Sequence, residues 1–377
     1  MVDNPNKHCL VIGVSQLAYV VLFLNGMLYI GSSIDMIKSN DGLYLTWNSL
    51  RALVFIIAIF LWARLFRRYS KKMVLDLMII SSLTLYMFSG AAGFVVELIL
   101  LIMLARLFSL LPDLYKIKTI KNISIFYLIV CGSFLALTLT GVIDAKIFAF
   151  QDIRKQSMGF VNPNTFAYFV FVSAILAYLI SDRILFFLSL TLLFASFFEV
   201  GSRSFFIGGV CLLVLYAAHS IPFVFVRSVV ILVVAVSIAA TLSLGMITAI
   251  YPMMLVDYVY GMTGIDINIL FSYRFLIMEN ALGQNEGVSY FFGGVPVSTD
   301  STFSNIVLAL GIVPVMLLFL VFLIRVAKML FNNSYSELVF LLCMSVLALV
   351  EMIVDASSIL SVILVCLLLF RYKLKVN

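Results

Sequence analysis

Apolar residues fill long stretches of this chain, broken at intervals by short clusters of charged, glycine, proline or asparagine residues. An α-helix rises ~1.5 Å per residue and needs ~20 apolar residues to cross ~30 Å of hydrocarbon. Spans are therefore expected near 9–30, 49–66, 73–90, 92–111, 122–141, 163–181, 184–200, 204–219, 228–250, 302–324, 336–355 and 356–370. The pairs 73–90/92–111 and 336–355/356–370 are joined only by Gly90–Gly93 and Asp355–Ser358, so either pair could be one interrupted segment. The expected fold is all-α, a single integral membrane domain over residues 1–377 with about twelve transmembrane helices.

Two connections break this rhythm, 142–162 and above all 251–301. Long connections in compact proteins are functional or disordered. The second carries Tyr251, Tyr258, Tyr260, Phe271, Tyr273, Tyr290, Phe291 and Phe292, too aromatic a set for disorder. It is expected to fold back over the outer membrane face, with short helices around Leu255–Tyr260 and Asn268–Leu282.

Composition excludes a sizeable soluble domain, since hydrophobic types reach 64% and charged types only 11%. The net charge of +6 does not signal nucleic acid, because the basic residues sit at the ends of apolar runs rather than on a polar surface. Seventeen of the 24 lysines and arginines fall on one side when the N-terminus is placed inside, which predicts both termini in the cytoplasm. Lys38, Arg51, Lys146, Arg154, Lys155, Arg203 and Arg274 are left on the outer side. The first run is too long for a signal-peptide core and lacks a small-residue cleavage site, so it reads as an uncleaved span. The five cysteines lie within or at the edge of apolar runs without metal-ligand spacing and read as packing residues.

Three segments carry candidate chemistry: Gly159-Phe160-Val161-Asn162-Pro163-Asn164, Gly201-Ser202-Arg203-Ser204 and Ser298-Thr299-Asp300-Ser301-Thr302. Each opens a span at its outer end. Asn162 before Pro163 is a good N-cap, and Ser or Asp serves in the others. Any helix start needs a cap, but three on one face beside arginines point to an anionic ligand held by free N–H groups and the positive helix end. Arg203 and Arg274 run against the positive-inside tendency, and a guanidinium fork matches phosphate oxygens. The structural alternative pairs Arg203 with Glu199 or Asp300. Arg154 could equally meet lipid headgroups. Among the outer carboxylates, Glu351 and Asp355 are four apart and so share a helical face, whereas Glu97 is isolated and reads as a helix-pairing residue. A carboxylate beside arginines can act as general base on a sugar hydroxyl. The chain has no Asp-x-Asp, P-loop, GxSxG or Rossmann fingerprint, and neither His8 nor His219 is well placed; no metal site or cofactor is expected.

The segments Gly159–Ala167, Gly201–Ser204, Ser272-Tyr273-Arg274 and Asp300–Asn305 running into Leu310-Gly311 resemble, in order and sidedness, the bacterial O-antigen and capsule polymerases of the Wzy type, within the O-antigen ligase/polymerase superfamily. The resemblance covers roughly residues 155–325. It implies a metal-independent glycosyltransferase in the bacterial inner membrane, working at the periplasmic face and passing a growing glycan from undecaprenyl diphosphate to the next lipid-linked repeat unit. Its partners would be the lipid-linked donor and acceptor, membrane lipid, a chain-length regulator and a flippase, with no nucleic acid. Arg203 and Arg274, helped by Arg154, Asn162, Asn164 and Ser301, would hold the diphosphate. Asp300, Glu199 or Glu279, in that order, would be the base. Ligase relatives carry a histidine in the large periplasmic loop, and none occurs between 251 and 301. The alternatives are a ligase-like transferase and a flippase or transporter of lipid-linked oligosaccharide.

Overall fold

The computed structural model describes residues 5–144, 146–150, 153–220, 224–270, 274–283, 291–294, 302–332, 334–350 and 355–370. Its helices are α1 (Pro5–Gly31), α2 (Asp35–Lys38), α3 (Asp41–Thr84), α4 (Ala92–Leu110), α5 (Asp113–Leu139), α6 (Pro163–Leu179), α7 (Arg183–Ala195), α8 (Phe197–Val200) and α9 (Arg203–His219). There follow α10 (Val224–Ile250), α11 (Pro252–Thr263), α12 (Ile267–Leu270), α13 (Arg274–Leu282), α14 (Thr302–Leu310), α15 (Ile312–Phe331), α16 (Tyr335–Val350) and α17 (Ile359–Leu369). Among the described residues, six helical stretches are long and apolar enough to cross a membrane: Gly13–Gly31, Asp41–Arg67, Ala92–Leu110, Asp113–Leu139, Ser228–Ile250 and Ile312–Phe331. Six shorter apolar helices accompany them, Met73–Phe88, Pro163–Leu179, Arg183–Ala195, Phe205–Ala218, Tyr335–Ala348 and Ile359–Leu369. The chain is a helical, membrane-embedded protein.

The helix α6 sits at the centre. Asn162 caps it, Pro163 takes the first helical position, and every residue from Phe166 to Leu179 is buried. A helix apolar on all sides suits either lipid or a protein core, and the burial of α6 places it in the core. Small hydroxyls tie it to its neighbours: Ser173 on α6 bonds Ser124 on α5 at 2.9 Å and Ser189 on α7 at 2.8 Å. The two ends of the bundle differ. At one, Arg64 and Arg67 are exposed on α3, Lys121 pairs with Asp182 at 2.8 Å, and Arg325 Nε donates to Leu368 O at 2.6 Å. There too, buried Arg106 grips Asp76 through two hydrogen bonds of 2.7 and 2.6 Å and lies 3.7 Å from the Phe370 ring centre. We call this the basic end, and the opposite one the loop end.

The expected spans 49–66 and 73–90 are present as Asp41–Arg67 and Met73–Phe88, which α3 joins across a kink at Tyr69. The first of them starts earlier than expected, at Asp41, capped by Asn40, so Arg51 lies well inside the helix. The 302–324 span is cut at Gly311, which adopts φ +81° between α14 and α15. A Cβ there would sit 2.3 Å from Phe291 O, so glycine serves both the turn and the close approach of residues 291–294. The fold is all-α as expected, with one short antiparallel hairpin added in the 142–162 connection, β1 (Ile147–Phe150) and β2 (Ile153–Gln156), which pairs Ile147 with Gln156 and Ala149 with Arg154. The expected short helices of the 251–301 connection are present as α11, α12 and α13, with Val256 of α11 packed against Phe275 and Met278 of α13.

Candidate functional site

The loop end gathers most of the described candidate residues. Gly159, at φ +75°, lets the chain turn beneath the Phe134 ring, where a Cβ would stand 2.4 Å from it. The segment then pairs with the end of α1: Asp35 N–H donates to Gly159 O at 2.9 Å and Val161 N–H to Ser33 O at 3.0 Å. Lys146 reaches Asp35 at 2.7 Å. Asn162 Oδ1 then accepts from Asn164 N at 2.8 Å, so both asparagines stand at the start of α6. Beside them, Glu199 in the short α8 accepts from Gln156 Nε2 of β2 at 2.8 Å. Gly201, in the left-handed region, ends α8 and lets Ser202 open α9. Arg203 is the first residue of α9, Arg274 the first of α13, and Arg154 lies on β2. The side chains of these three arginines lie outside the described residues, as do Asp300 and Ser301.

Ser202 is only 4% exposed, and its Oγ has no hydrogen-bond partner among the described residues. A cap residue ordinarily spends its hydroxyl on the second or third N–H of its helix. Here both the hydroxyl and the first-turn N–H groups of a seventeen-residue helix stay available for an acceptor. Glu279 is differently employed: it is exposed, and its Oε2 accepts from Met253 N at 3.4 Å, which fastens α13 to the start of α11.

Beneath this rim lies a polar cluster built around the connector Asp355–Ser358 between α16 and α17. Asp355 is not helical, and Glu351, expected to share a helical face with it, lies outside the described residues. The connector is pinned on every side. Ala356 O accepts from buried Asn25 of α1 at 2.9 Å, and Ala356 N donates to Glu97 of α4 at 3.1 Å. Arg51 of α3 donates to Ser357 Oγ and stands 4.0 Å from Asp355 Oδ1. Asp355 Oδ1 also accepts from Ser357 N at 2.6 Å. The hydroxyls of Ser358 and Tyr168 of α6 share a hydrogen bond of 3.2 Å. Asn25 lies six residues before the end of α1 and Glu97 five after the start of α4. At ~1.5 Å rise per residue the connector is therefore roughly 7–9 Å below the helix ends. Irregular backbone at that depth in a membrane protein persists only where protein or a cavity surrounds it, and ionisable groups there mark function or pairing.

Glu97 is thus not isolated; it, Arg51 and Asp355 converge from elements far apart in sequence. The rim and the cluster are joined through α6. Tyr168, which touches Ser358, also packs its ring 6.0 Å from that of Phe205, the third residue of α9. The start of α9 and the Asp355 connector consequently flank the same first turns of α6. Asn162, Asn164, Glu199, Ser202 and the backbone of Arg203 belong to this neighbourhood, while Glu279 belongs with α11 and α13. The signal that could have found the buried half was the presence of Asn25, Arg51 and Glu97 in apolar helices, where each is costly unless partnered. No family model, curated protein or solved structure matches the chain.

Proposed function

We propose that this protein is a polysaccharide polymerase of the bacterial inner membrane, transferring a growing glycan from undecaprenyl diphosphate to the next lipid-linked repeat unit. In this reading all twelve apolar helices cross the membrane, both termini are cytoplasmic, and the loop end faces the periplasm. The observation that carries it is the start of α9, where a buried Ser202 hydroxyl without a partner among the described residues and first-turn N–H groups that Ser202 does not cap stand next to the backbone of Arg203. That arrangement suits a diphosphate, because N–H groups, helix dipole and guanidinium all favour an anion. Arg203 and Arg274, with Asn162 and Asn164 at the neighbouring helix start, would neutralise charge as the lipid diphosphate leaves. Removing one such donor from an enzyme raises the barrier by ~3–4 kcal/mol.

The test is purified protein in detergent given a synthetic undecaprenyl-diphosphate repeat unit. A ladder of longer glycans, lost in Arg203→Ala at unchanged folding, is the expected result. A folded sample that makes no ladder from its own host's repeat unit would sink the reading. The break between α16 and α17 favours one second reading, a flippase of the same lipid-linked oligosaccharide, since transporters place interrupted helices and charged groups within the membrane. Vesicle uptake of the lipid-linked glycan without any ladder would select it. A ligase-like transferase would instead move the finished chain onto a different lipid acceptor.

A further inference from the structure

We propose that the outward face of α7, at the basic end of the bundle, binds an anionic phospholipid, with Arg183 on its phosphodiester and Ile184, Phe187, Leu188 and Thr191 along one acyl chain. These five residues line an open groove of about 360 Å³. The site would operate whatever reaction the loop end performs.

The sequence of α7 divides the helix lengthwise. Leu185, Phe186, Ser189, Leu190 and Leu193 are buried, and Ser189 is tied to Ser173 of α6 at 2.8 Å, so one face is committed to the core. Ile184, Phe187, Leu188 and Thr191 recur every three or four residues on the other face and are exposed. The Phe187 ring stands edge-on to that of Tyr216 on α9 at 5.5 Å, and Tyr216 stacks on Phe186 at 4.9 Å. The groove wall is thus braced before any ligand arrives, which lowers the ordering cost of binding. Arg183 and Thr191 are eight residues apart, about 12 Å along the axis. One leaflet takes about 15 Å of a ~30 Å hydrocarbon core, so the groove can follow most of an acyl chain inward from its glycerol end.

Charge selects the headgroup. Arg183 opens α7 with its side chain exposed, and it makes no hydrogen bond or ion pair with any described residue. The adjoining carboxylate, Asp182, is already engaged: Lys121 reaches its Oδ2 at 2.8 Å, and the Leu185 N–H donates to its Oδ1 at 3.2 Å. The guanidinium charge is therefore left over, at the positive end of the helix dipole and at the mouth of an apolar groove. A phosphodiester with acyl chains meets both conditions, since its oxygens match the guanidinium fork and its chains match the groove. A second copy of this chain suits the face less well. Covering the groove with protein would desolvate Arg183, and no carboxylate lines the groove to pair with it. The headgroup would sit against the corner between α6 and α7, where Ser181 is held in the left-handed region at φ +56°, and a lipid bound only to the folded state stabilises that corner.

The experiment uses the full-length protein in dodecyl maltoside with phosphatidylglycerol carrying a photoreactive diazirine on one acyl chain. After illumination, labelled peptides are identified by mass spectrometry. Label is expected on the peptide spanning Ile184–Thr191, displaced by unlabelled phosphatidylglycerol but not by phosphatidylcholine or inorganic phosphate. Arg183→Gln is expected to lower that label by about tenfold or more, the loss of one charge-assisted hydrogen bond, with label elsewhere unchanged. Arg183→Lys, which keeps the charge without the fork, recovers part of it. Phosphatidylglycerol should also raise the melting temperature of wild type more than that of Arg183→Gln. Displacement by phosphatidylcholine as effective as by phosphatidylglycerol overturns the proposal, as does label in a folded Arg183→Gln within about twofold of wild type. Displacement by inorganic phosphate would make this a free-anion site and equally overturns it. If Arg183→Gln does not fold, the wild-type competition decides alone. Absence of label on that peptide refutes the lipid site outright, and a solution dimer broken by Leu188→Arg would then give the face to a second copy.

Discussion

Replacing Asp76 with leucine should be among the most damaging single changes away from the loop end. The Asp76 side chain is 0% exposed and that of Arg106 9%, and two hydrogen bonds of 2.7 and 2.6 Å join them. Asp76→Leu leaves a buried guanidinium without its anion, a loss of about 3–5 kcal/mol. The contact of Arg106 with the Phe370 ring at 3.7 Å persists in both proteins and so does not offset the loss. Removing both charges with Asp76→Leu/Arg106→Met leaves apolar groups of similar size packed together, which is near neutral for buried pairs. The double variant should therefore recover most of what the single one loses, an interaction energy of roughly 3 kcal/mol, or on the order of 100-fold in the unfolding constant. Unfolding in dodecyl maltoside against rising SDS fraction, with both singles and the double, measures this. A loss below about 1 kcal/mol for Asp76→Leu, or a double variant as unstable as the two singles added, would refute the reasoning.

Gly311→Ala forces a side chain onto φ +81° and within 2.3 Å of Phe291 O, so a loss of at least ~1–3 kcal/mol in the same assay is expected. Glu97→Ala orphans the buried Ala356 N–H, for a loss of ~1–3 kcal/mol, whereas Glu97→Gln keeps an acceptor and should retain most of the stability; equal losses would contradict the hydrogen bond at 3.1 Å. The carboxyl of Asp182 at the basic end is held below its ordinary value of 3.8, chiefly by its hydrogen bond to Lys121. A carboxylate with a depressed folded value stabilises the protein fully above its unfolded value and loses that contribution as pH falls through the folded one. The melting difference between wild type and Asp182→Asn should accordingly be constant at neutral pH and shrink as pH drops below about 4; a difference that grows on acidification would reverse the assignment.

The apolar runs were legible because burial in hydrocarbon imposes a length on each helix, and length survives in one dimension. The start of α6 was legible for a local reason, since Asn162-Pro163 encodes cap and first turn within two residues. The hairpin was not, because Gln151-Asp152 between its strands lacks the glycine that signals a tight turn. Gly311 was read through because a single glycine inside an apolar run is ordinary in membrane helices. The connector's partners were invisible for a third reason. Asn25, Arg51 and Glu97 meet residues 356 and 357 across separations of 331, 306 and 259 positions, and no spacing rule reaches so far.

That long-range convergence also bears on how the loop end keeps its shape. Lipid supplies no hydrophobic force to press polar surfaces together, so a polar cluster in a membrane protein needs a rigid wall to be built on. The helix α6 is that wall: its buried length is fixed by apolar packing and by the Ser124–Ser173–Ser189 chain well below the site. Its first turns, by contrast, carry Asn162 and Asn164 exposed or half-buried at the top and Tyr168 against Ser358 one turn lower. A change deep in α6 should therefore shift rim and connector together, whereas a change at Asn162 should loosen the rim alone. Functional geometry held on a rigid element is more exact than geometry held on loops. It follows that the start of α9 and the Asp355 turn, both packed on α6, are fixed relative to each other, while α11 and α13, fastened to each other by Glu279 and a three-residue apolar core, form a separate unit at the same end.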